Sequence, residues 1–351
     1  MVVCFKGDKN FLNGLENQKA PFLLACSTTK TCEISGITQA GIPGLIHLTP
    51  TLDSEFLCEG EVKSLKDLAK TPKGVPTPAL ITRAVSLKSP FSSISILDIG
   101  MAKKPLIKKC QYESFNINPS NRIDEGADIL AKEVFEKGRN FAKKFKTDKD
   151  FIILAETTPA GTTTAYATSL ALGYESWNLF SSSFKNDPKS IKDEVVKRAL
   201  SLIRKEDNIF DTLSKVSDNM LIFSAGFAME ASLNKKVILG GGTQMAAVMM
   251  IIDRLLKSEK ANTDNIALAT TKWVYEDENS NIEALLDMLS FTPNAFFADF
   301  SFKNSKLDIL KLYDKGEAKE GVGAGAAMVY GYTQGLKEDD IVKGVEELLG
   351  A

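Results

Sequence analysis

The chain has 351 residues, 44% apolar and 25% charged, which is globular composition and enough length for one large core or two linked ones. Its 43 Lys and Arg against 45 Asp and Glu leave a formal charge of -2, and no basic stripe interleaved with aromatics occurs, which argues against nucleic acid as a partner. An anionic ligand must then be held locally, by helix N-termini, glycine turns and one or two lysines, and this favours a small phosphorylated molecule.

The opening stretch MVVCFKGDKNFLNG lacks a basic segment followed by an apolar one, and no run reaches the roughly 18 apolar residues of a membrane span. The expectation is a soluble, unexported, cytoplasmic protein with no membrane partner. Near-continuously apolar runs follow at 21–26, 78–85, 93–100, 150–156, 220–226, 236–242, 265–271 and 294–300, the pattern of strands buried on both faces. Helical periodicity is clearest at 124–146, 162–172, 189–204, 243–258, 280–289 and 322–349. This alternation predicts an α/β fold, a mostly parallel, Rossmann-like sheet covered by helices. Ligands then belong beyond the carboxyl ends of the strands. The polar stretch 116–125 is the best internal boundary, and the charged run 312–321 separates the last strand from the C-terminal helices.

Five cysteines (Cys4, Cys26, Cys32, Cys58 and Cys110) form no CxxC pair or Cys/His cluster, so free thiols and no structural metal site are expected. The single histidine, His47 in GLIHLTP, lies in a strand-like apolar run and is expected to be structural. Proton transfer then falls to a carboxylate.

Three segments carry candidate chemistry. In 153–173 a strand ends in Glu156, and a Pro-Ala-Gly turn leads to Gly161, Thr162 and Thr163 at a helix start, where either threonine is a candidate cap and the free N–H groups face a ligand. In 236–256 a strand runs into Gly240, Gly241 and Gly242, which let the backbone approach a ligand closely. In 319–332 Glu320 precedes Gly321 and Gly323, and a carboxylate at a glycine-lined turn leaves room for a flat ring and suits a general base. GVGAGA formally fits a dinucleotide fingerprint, but no apolar strand precedes it.

Together these segments resemble the nicotinate mononucleotide:5,6-dimethylbenzimidazole phosphoribosyltransferase family of cobalamin biosynthesis, especially its archaeal-type branch. Glu156, Ala160, Gly161, Thr162 and Thr163 fall on a motif similar to E-x-G-x-G-N-T-T; Gly241, Gly242, Gln244, Met245, Ala246 and Ala247 on one similar to G-G-x-E-[IL]-A-A; and Glu320, Gly321, Gly323 and Ala324 on one similar to G-E-G-T-G-A. The stretch 191–202 resembles K-x-x-V-V-x-x-A-L. Departures are Ala160 and Lys319 for glycine, Gly161 for asparagine, Gln244 for glutamate, and Ser181, Ser182 and Ser183 for a glycine-threonine-glycine turn.

The resemblance implies phosphoribosyl transfer from nicotinate mononucleotide to a small aromatic, benzimidazole-like base, with Glu320 as base, no cofactor and a homodimer. It implies substrate contacts from Glu156, Gly161, Thr162, Thr163, Ser182, Ser183, Lys192, Gly241, Gly242, Gly321 and Gly323. It also implies a large domain over 21–320 with a smaller helical part built from 1–20 and 321–351. The sequence leaves open the acceptor base and whether the donor carries nicotinate or nicotinamide. Rival readings are a noncatalytic binder of phosphoribosyl compounds and an oxidoreductase using a dinucleotide at GVGAGA.

Overall fold

The computed structural model describes residues 1–66, 68, 70–186 and 188–351. Its strands are β1 (Val2–Lys6), β2 (Phe22–Cys26), β3 (Ile94–Asp98), β4 (Gln111–Ser114), β5 (Phe151–Thr157), β6 (Lys236–Gly240), β7 (Ile266–Thr271) and β8 (Asn294–Ala298). The first six helices are α1 (Thr49–Glu59), α2 (Ala79–Lys88), α3 (Ala131–Lys144), α4 (Gly161–Ala171), α5 (Lys189–Ser201) and α6 (Ile209–Val216). The others are α7 (Asn219–Ala231), α8 (Thr243–Leu255), α9 (Lys272–Tyr275), α10 (Ile282–Asp287), α11 (Ala324–Thr333) and α12 (Glu338–Leu348).

Among the described residues the strands form one sheet of eight in the order β1-β8-β7-β6-β5-β2-β3-β4. Neighbours pair in parallel except β1, which runs antiparallel to β8 at the edge. The chain first builds outwards from β2 to β4, then returns to β5 and builds the other way. The strand order therefore reverses between β2 and β5, and at such a switch point the loops beyond the carboxyl ends diverge and leave a crevice.

Both faces of the sheet are covered, as the apolar runs predict. Leu23, Leu97, Ile152, Leu154, Val237 and Leu268 enter one core with Phe135 of α3, Ala167 of α4, Phe223 of α7 and Met249 of α8. Alternate residues, Leu24, Ile96, Ile153, Ile238, Ala267 and Phe296, enter the other with Phe56 of α1, Ile81 of α2, Met328 of α11 and Val345 of α12. Two of the apolar runs are not strands. Residues 78–85 belong to α2, where Leu80, Ile81, Ala84 and Val85 are buried while Leu87 and Lys88 are exposed. Residues 220–226 belong to α7, a helix buried on almost every side and so without an amphipathic stripe to betray it. Its start is fixed by Asp218, whose carboxylate accepts the Leu221 N–H at 2.9 Å.

Other expectations also change. Val2–Lys6, expected in the helical part, is the sheet's edge strand. The expected helix 322–349 is two, parted at Gly335, whose φ of 91° no L-residue adopts cheaply. His47 lies in a short 3-10 turn, Ile46–Leu48, and not in a strand. Two of the five expected free thiols, Cys58 at the end of α1 and Cys110 before β4, form a disulfide with Cα atoms 5.6 Å apart. Glu59 brings them together by accepting the N–H groups of Lys108 and Lys109 at 2.6 and 2.9 Å. That contact joins residues 49 and 50 positions apart, beyond the reach of a spacing rule.

Candidate active site

The carboxyl ends of β5, β6 and β7 open into one cleft of about 910 Å³, open mouth included. β5 and β6 each run through a short turn into a helix, α4 and α8, whose first residues line that space, while β7 passes directly into α9. After β5 the turn is Thr158, Pro159 and Ala160, with Ala160 at a φ of 61°. Ala160 is the cap of α4 and gives no side-chain hydrogen bond, so neither Thr162 nor Thr163 caps the helix. After β6 come Gly241 and Gly242. A side chain on Gly241 would meet Cγ of Glu156 at 3.2 Å, and one on Gly242 would lie 3.7 Å from Glu320. Gly241 therefore leaves room for Glu156, while Gly242 stands at ordinary contact distance from Glu320.

Glu320 belongs to a tight turn before α11. Its carboxylate accepts the backbone N–H of Gly321 at 3.1 Å, of Thr271 at 3.1 Å and of Gly325 at 3.2 Å. The turn holds Val322 at a φ of 55°, a strained conformation for a β-branched residue, with Gly323 at 62°. Two contacts hold Val322 there: its N–H donates to the Glu156 carbonyl at 3.0 Å, and its own carbonyl accepts the Thr82 hydroxyl at 2.9 Å. Gly323 packs on the sheet so closely that a Cβ would stand 2.5 Å from that of Ala155.

Burial pushes the Glu320 carboxyl up to about 7, against the pull of its backbone N–H partners. Glu156, 2% exposed, is held well above the usual carboxylate range, by burial first and then by the charges of Glu320, Asp218 and Asp53. Asp53 of α1, 3% exposed, accepts the hydroxyls of Thr77 at 2.7 Å and Thr157 at 2.8 Å, and burial raises it to about 6. Asp218 is likewise raised to about 6 by burial and accepts the Thr164 hydroxyl below α4. Along the strand order, Glu320 stands at β7, Glu156 at β5 and Asp53 at the β5/β2 switch.

The other wall is the loop Ser181–Ser182–Ser183. The Ser181 N–H donates to the Thr243 hydroxyl at 3.1 Å, and the Ser183 hydroxyl accepts the Gln39 N–H at 3.0 Å. Lys319, buried beside Glu320, pairs with Asp277 at 3.1 Å and donates to the Phe184 carbonyl at 2.8 Å, tying this loop to the turn that carries Glu320. Gln244, on the first turn of α8, also lines the cleft, and its amide oxygen is buried with no hydrogen-bond partner among the described residues.

Of the residues singled out in the sequence, Glu156, Gly161, Thr162, Ser182, Ser183, Gly242, Glu320 and Gly321 line the cleft. Gly241 lies directly behind Glu156. Thr163 is buried in α4, and Gly323 is packed on the sheet, so both shape the wall from behind it. Lys192 is buried beneath the serine loop, where its ammonium donates to the Ser181 carbonyl at 2.8 Å. Sequence reasoning passed over Asp53, Thr77, Lys319 as a cation, Asp277 and Asp218. Asp218 had a readable signal, an Asp-Asn pair directly before an apolar run; Asp53 had none. No strand leads into Gly321, since a 3-10 helix, Leu310–Lys315, precedes the turn, and this removes the structural context of a dinucleotide fingerprint.

Comparison with known proteins agrees with this architecture. Residues 91–262 match the family model described as phosphoribosyltransferase. A UPF0284 protein of Sulfurisphaera tokodaii is 36% identical over 95% of this chain and 94% of its own length, and one of Sulfolobus acidocaldarius is 35% identical over 95% of each. The chain belongs to the UPF0284 family, and the phosphoribosyltransferase model matches its central part. A crystal structure of nicotinate-nucleotide-dimethylbenzimidazole phosphoribosyltransferase from Thermus thermophilus superposes with a TM-score of 0.62 at 14% identity, covering 97% of this chain and 91% of that one. At that identity the likeness is one of fold.

Proposed function

We propose that the protein transfers the phosphoribosyl group of nicotinate mononucleotide to a small aromatic base, releasing nicotinate and forming an α-ribotide. The observation that carries this reading is Glu320: a carboxyl raised to about 7, fixed by three backbone N–H groups, and facing a cleft at the carboxyl ends of the strands. The nicotinate in the donor is a pyridinium bonded to ribose C1′. It leaves with a neutral ring nitrogen, taking the electron pair of the C1′–N bond. The acceptor's ring nitrogen supplies the new bond to C1′, and Glu320 takes the proton from the acceptor's other ring nitrogen as positive charge develops. A base with a value near 7 is ionised often enough at neutral pH to act and holds the proton firmly enough to accept it.

In this reading the N-terminus of α4 at Gly161 and Thr162, the Thr243 end of α8 and the serine loop hold the phosphate through N–H and hydroxyl donors. Lys192 supports that loop from beneath. Glu156, whose carboxyl burial and the neighbouring acids hold well above the usual range, bonds a ribose hydroxyl or the departing ring. Gly241, Gly242, Gly321 and Gly323 keep the backbone low enough for two rings to stand on opposite sides of C1′. Thr163, buried in the first turn of α4, packs behind the cleft wall. The homodimer is proposed with the same reading.

The experiment is incubation of the pure protein with nicotinate mononucleotide and a panel of bases, with nicotinate and ribotide separated by chromatography. Acceptor-dependent nicotinate release, lost in Glu320→Gln, is the expected result. Donor binding with no release for any base rejects the transferase reading.

A further inference from the structure

We propose that a phosphate bound at the serine loop fixes the turn that carries Glu320, and that Lys319 joins the two. This rests on the transferase reading and deepens it: the donor's phosphate then serves the chemical step as well as binding, and Lys319 is a positioning residue for the general base.

The link can be followed bond by bond. Ser182 lines the cleft and is buried. Its hydroxyl oxygen accepts the Phe184 N–H at 3.2 Å, which leaves the hydroxyl hydrogen for an oxygen in the cleft. That N–H and the Ser183 carbonyl are two ends of one peptide unit, and the Ser183 carbonyl accepts the Ala318 N–H at 3.4 Å. Hydrogen bonds in a row polarise one another, so a phosphate oxygen on Ser182 strengthens each bond behind it. The Ala318 contact is long and has room to shorten. The next carbonyl, that of Phe184, accepts the Lys319 ammonium at 2.8 Å. Ser181 is tied in as well, because Oδ2 of Asp277 accepts its hydroxyl at 2.9 Å and pairs with Lys319 at 3.1 Å.

From Lys319 the link passes to the base through Thr271. The Thr271 hydroxyl donates to the Lys319 carbonyl at 2.6 Å, and its N–H donates to the Glu320 carboxylate at 3.1 Å. One residue of the sheet thus grips both neighbours. The Lys319 and Asp277 side chains are only 3% and 4% exposed. Desolvating two charges costs about as much as their attraction returns, and an apolar pair of similar volume generally holds a fold as well. What the buried ammonium adds is direction, since it aims its donors at Asp277 and at the serine loop together. A phosphate far from C1′ can in this way spend its binding energy on the placement of Glu320.

The test follows nicotinate release, with a base that the protein uses, from nicotinate mononucleotide, from nicotinate riboside, which lacks the phosphate, and from the riboside with phosphite dianion added. Amide hydrogen exchange over residues 318–325 is recorded with and without phosphite, and both measurements are repeated in Lys319→Met and Lys319→Arg. The expected result is a riboside kcat lower by about 100-fold and partly restored by phosphite, with slower exchange of the turn when phosphite binds. Lys319→Met should lower the mononucleotide kcat by about 100-fold with KM little changed, and lose both phosphite responses, which Lys319→Arg keeps in part. A riboside that differs from the mononucleotide in KM alone overturns the proposal and leaves the transferase reading intact, as does a phosphite response undiminished in Lys319→Met. If no base is turned over, the transferase reading fails and exchange decides the present one: slowing by phosphite that is lost in Lys319→Met upholds it, and unchanged exchange overturns it. Should Lys319→Met fail to fold, Asp277→Asn, which removes the charge opposite Lys319, takes its place with the same outcomes.

Discussion

Glu320 depends on its partners as much as on its own chemistry. A carboxylate surrounded by backbone N–H groups ordinarily becomes a stronger acid, yet burial outweighs those bonds and leaves the group near 7. We expect Glu320→Gln to lower nicotinate release by about 100- to 10,000-fold, the usual contribution of a general base, with donor affinity nearly unchanged in calorimetry. Because the ionised form is the active one, wild-type kcat/KM should rise with pH through a midpoint of about 7 and level above it. A profile flat between about pH 5.5 and 8.5 contradicts this assignment. Gly161 makes a different claim. Its missing Cβ leaves room for the Gln244 amide oxygen, which would stand 1.9 Å from that atom. Gly161→Ala should push the flexible Gln244 end into the cleft and raise the donor's KM by about tenfold with little change in melting temperature, as steady-state kinetics and calorimetry will show.

These residues were legible to different degrees. Glu156 and Glu320 could be read because a carboxylate beside small residues at a helix start forms a local pattern, with a strand before it in the case of Glu156. Asp53 could not, since it sits mid-helix in α1 and becomes part of the cleft only because β2 and β5 are neighbours. Lys319 was noticed as a misplaced glycine, but its buried pairing with Asp277 depends on a residue 42 positions earlier, and only the fold joins them.

Among the elements, α11 is the most constrained. Gly325 lies so close to β7 that an added Cβ would stand 2.1 Å from the Thr270 carbonyl carbon and 2.4 Å from its Cα, both backbone atoms with nowhere to go. Gly325→Ala should therefore cost about 1 to 3 kcal/mol in denaturant unfolding and also disturb the N–H that holds Glu320. An unchanged midpoint would mean that the helix can slide. The disulfide closes a 52-residue stretch between α1 and the lead into β4, and the chain-entropy argument gives it about 4 kcal/mol. Reduction, or Cys58→Ser, should lower the unfolding midpoint, with Cys32→Ser as a control on a cysteine outside the bridge. The misreading of α2 and α7 as strands has the same root. A short apolar run does not disclose its period, and a helix buried from all sides shows no polar face to count against.

At the scale of the whole molecule, burial raises Glu156, Asp53, Asp218 and Glu320 together. A carboxyl whose folded value lies above its unfolded one binds protons more tightly in the native state. Its stabilising contribution is complete below the unfolded value and is lost as pH rises through the folded one. For Asp53, Asp218 and Glu320 that loss runs from about pH 4 to 7. The protein should accordingly melt at a higher temperature at about pH 6 than at about pH 8 by scanning calorimetry, and Glu320→Gln should reduce the difference. The α/β class and the parallel sheet were legible because both faces are buried and the central strands are mostly apolar. The antiparallel edge strand β1 was not, because its five residues are only half-buried and pair with β8, at the far end of the sequence.

The row of carboxyl groups has one more consequence, for the heat of binding. A phosphorylated donor entering the cleft brings negative charge close to Glu320 and Asp53, which are poised between their two protonation states. Each is driven towards its neutral form, and the protons come from solution. Donor binding should thus consume protons from the medium, and the enthalpy recorded near neutral pH should change from one buffer to another in proportion to the buffer's own ionisation heat. The slope of that plot counts the protons taken up, and it should shrink when the donor is replaced by its nucleoside, which lacks the phosphate.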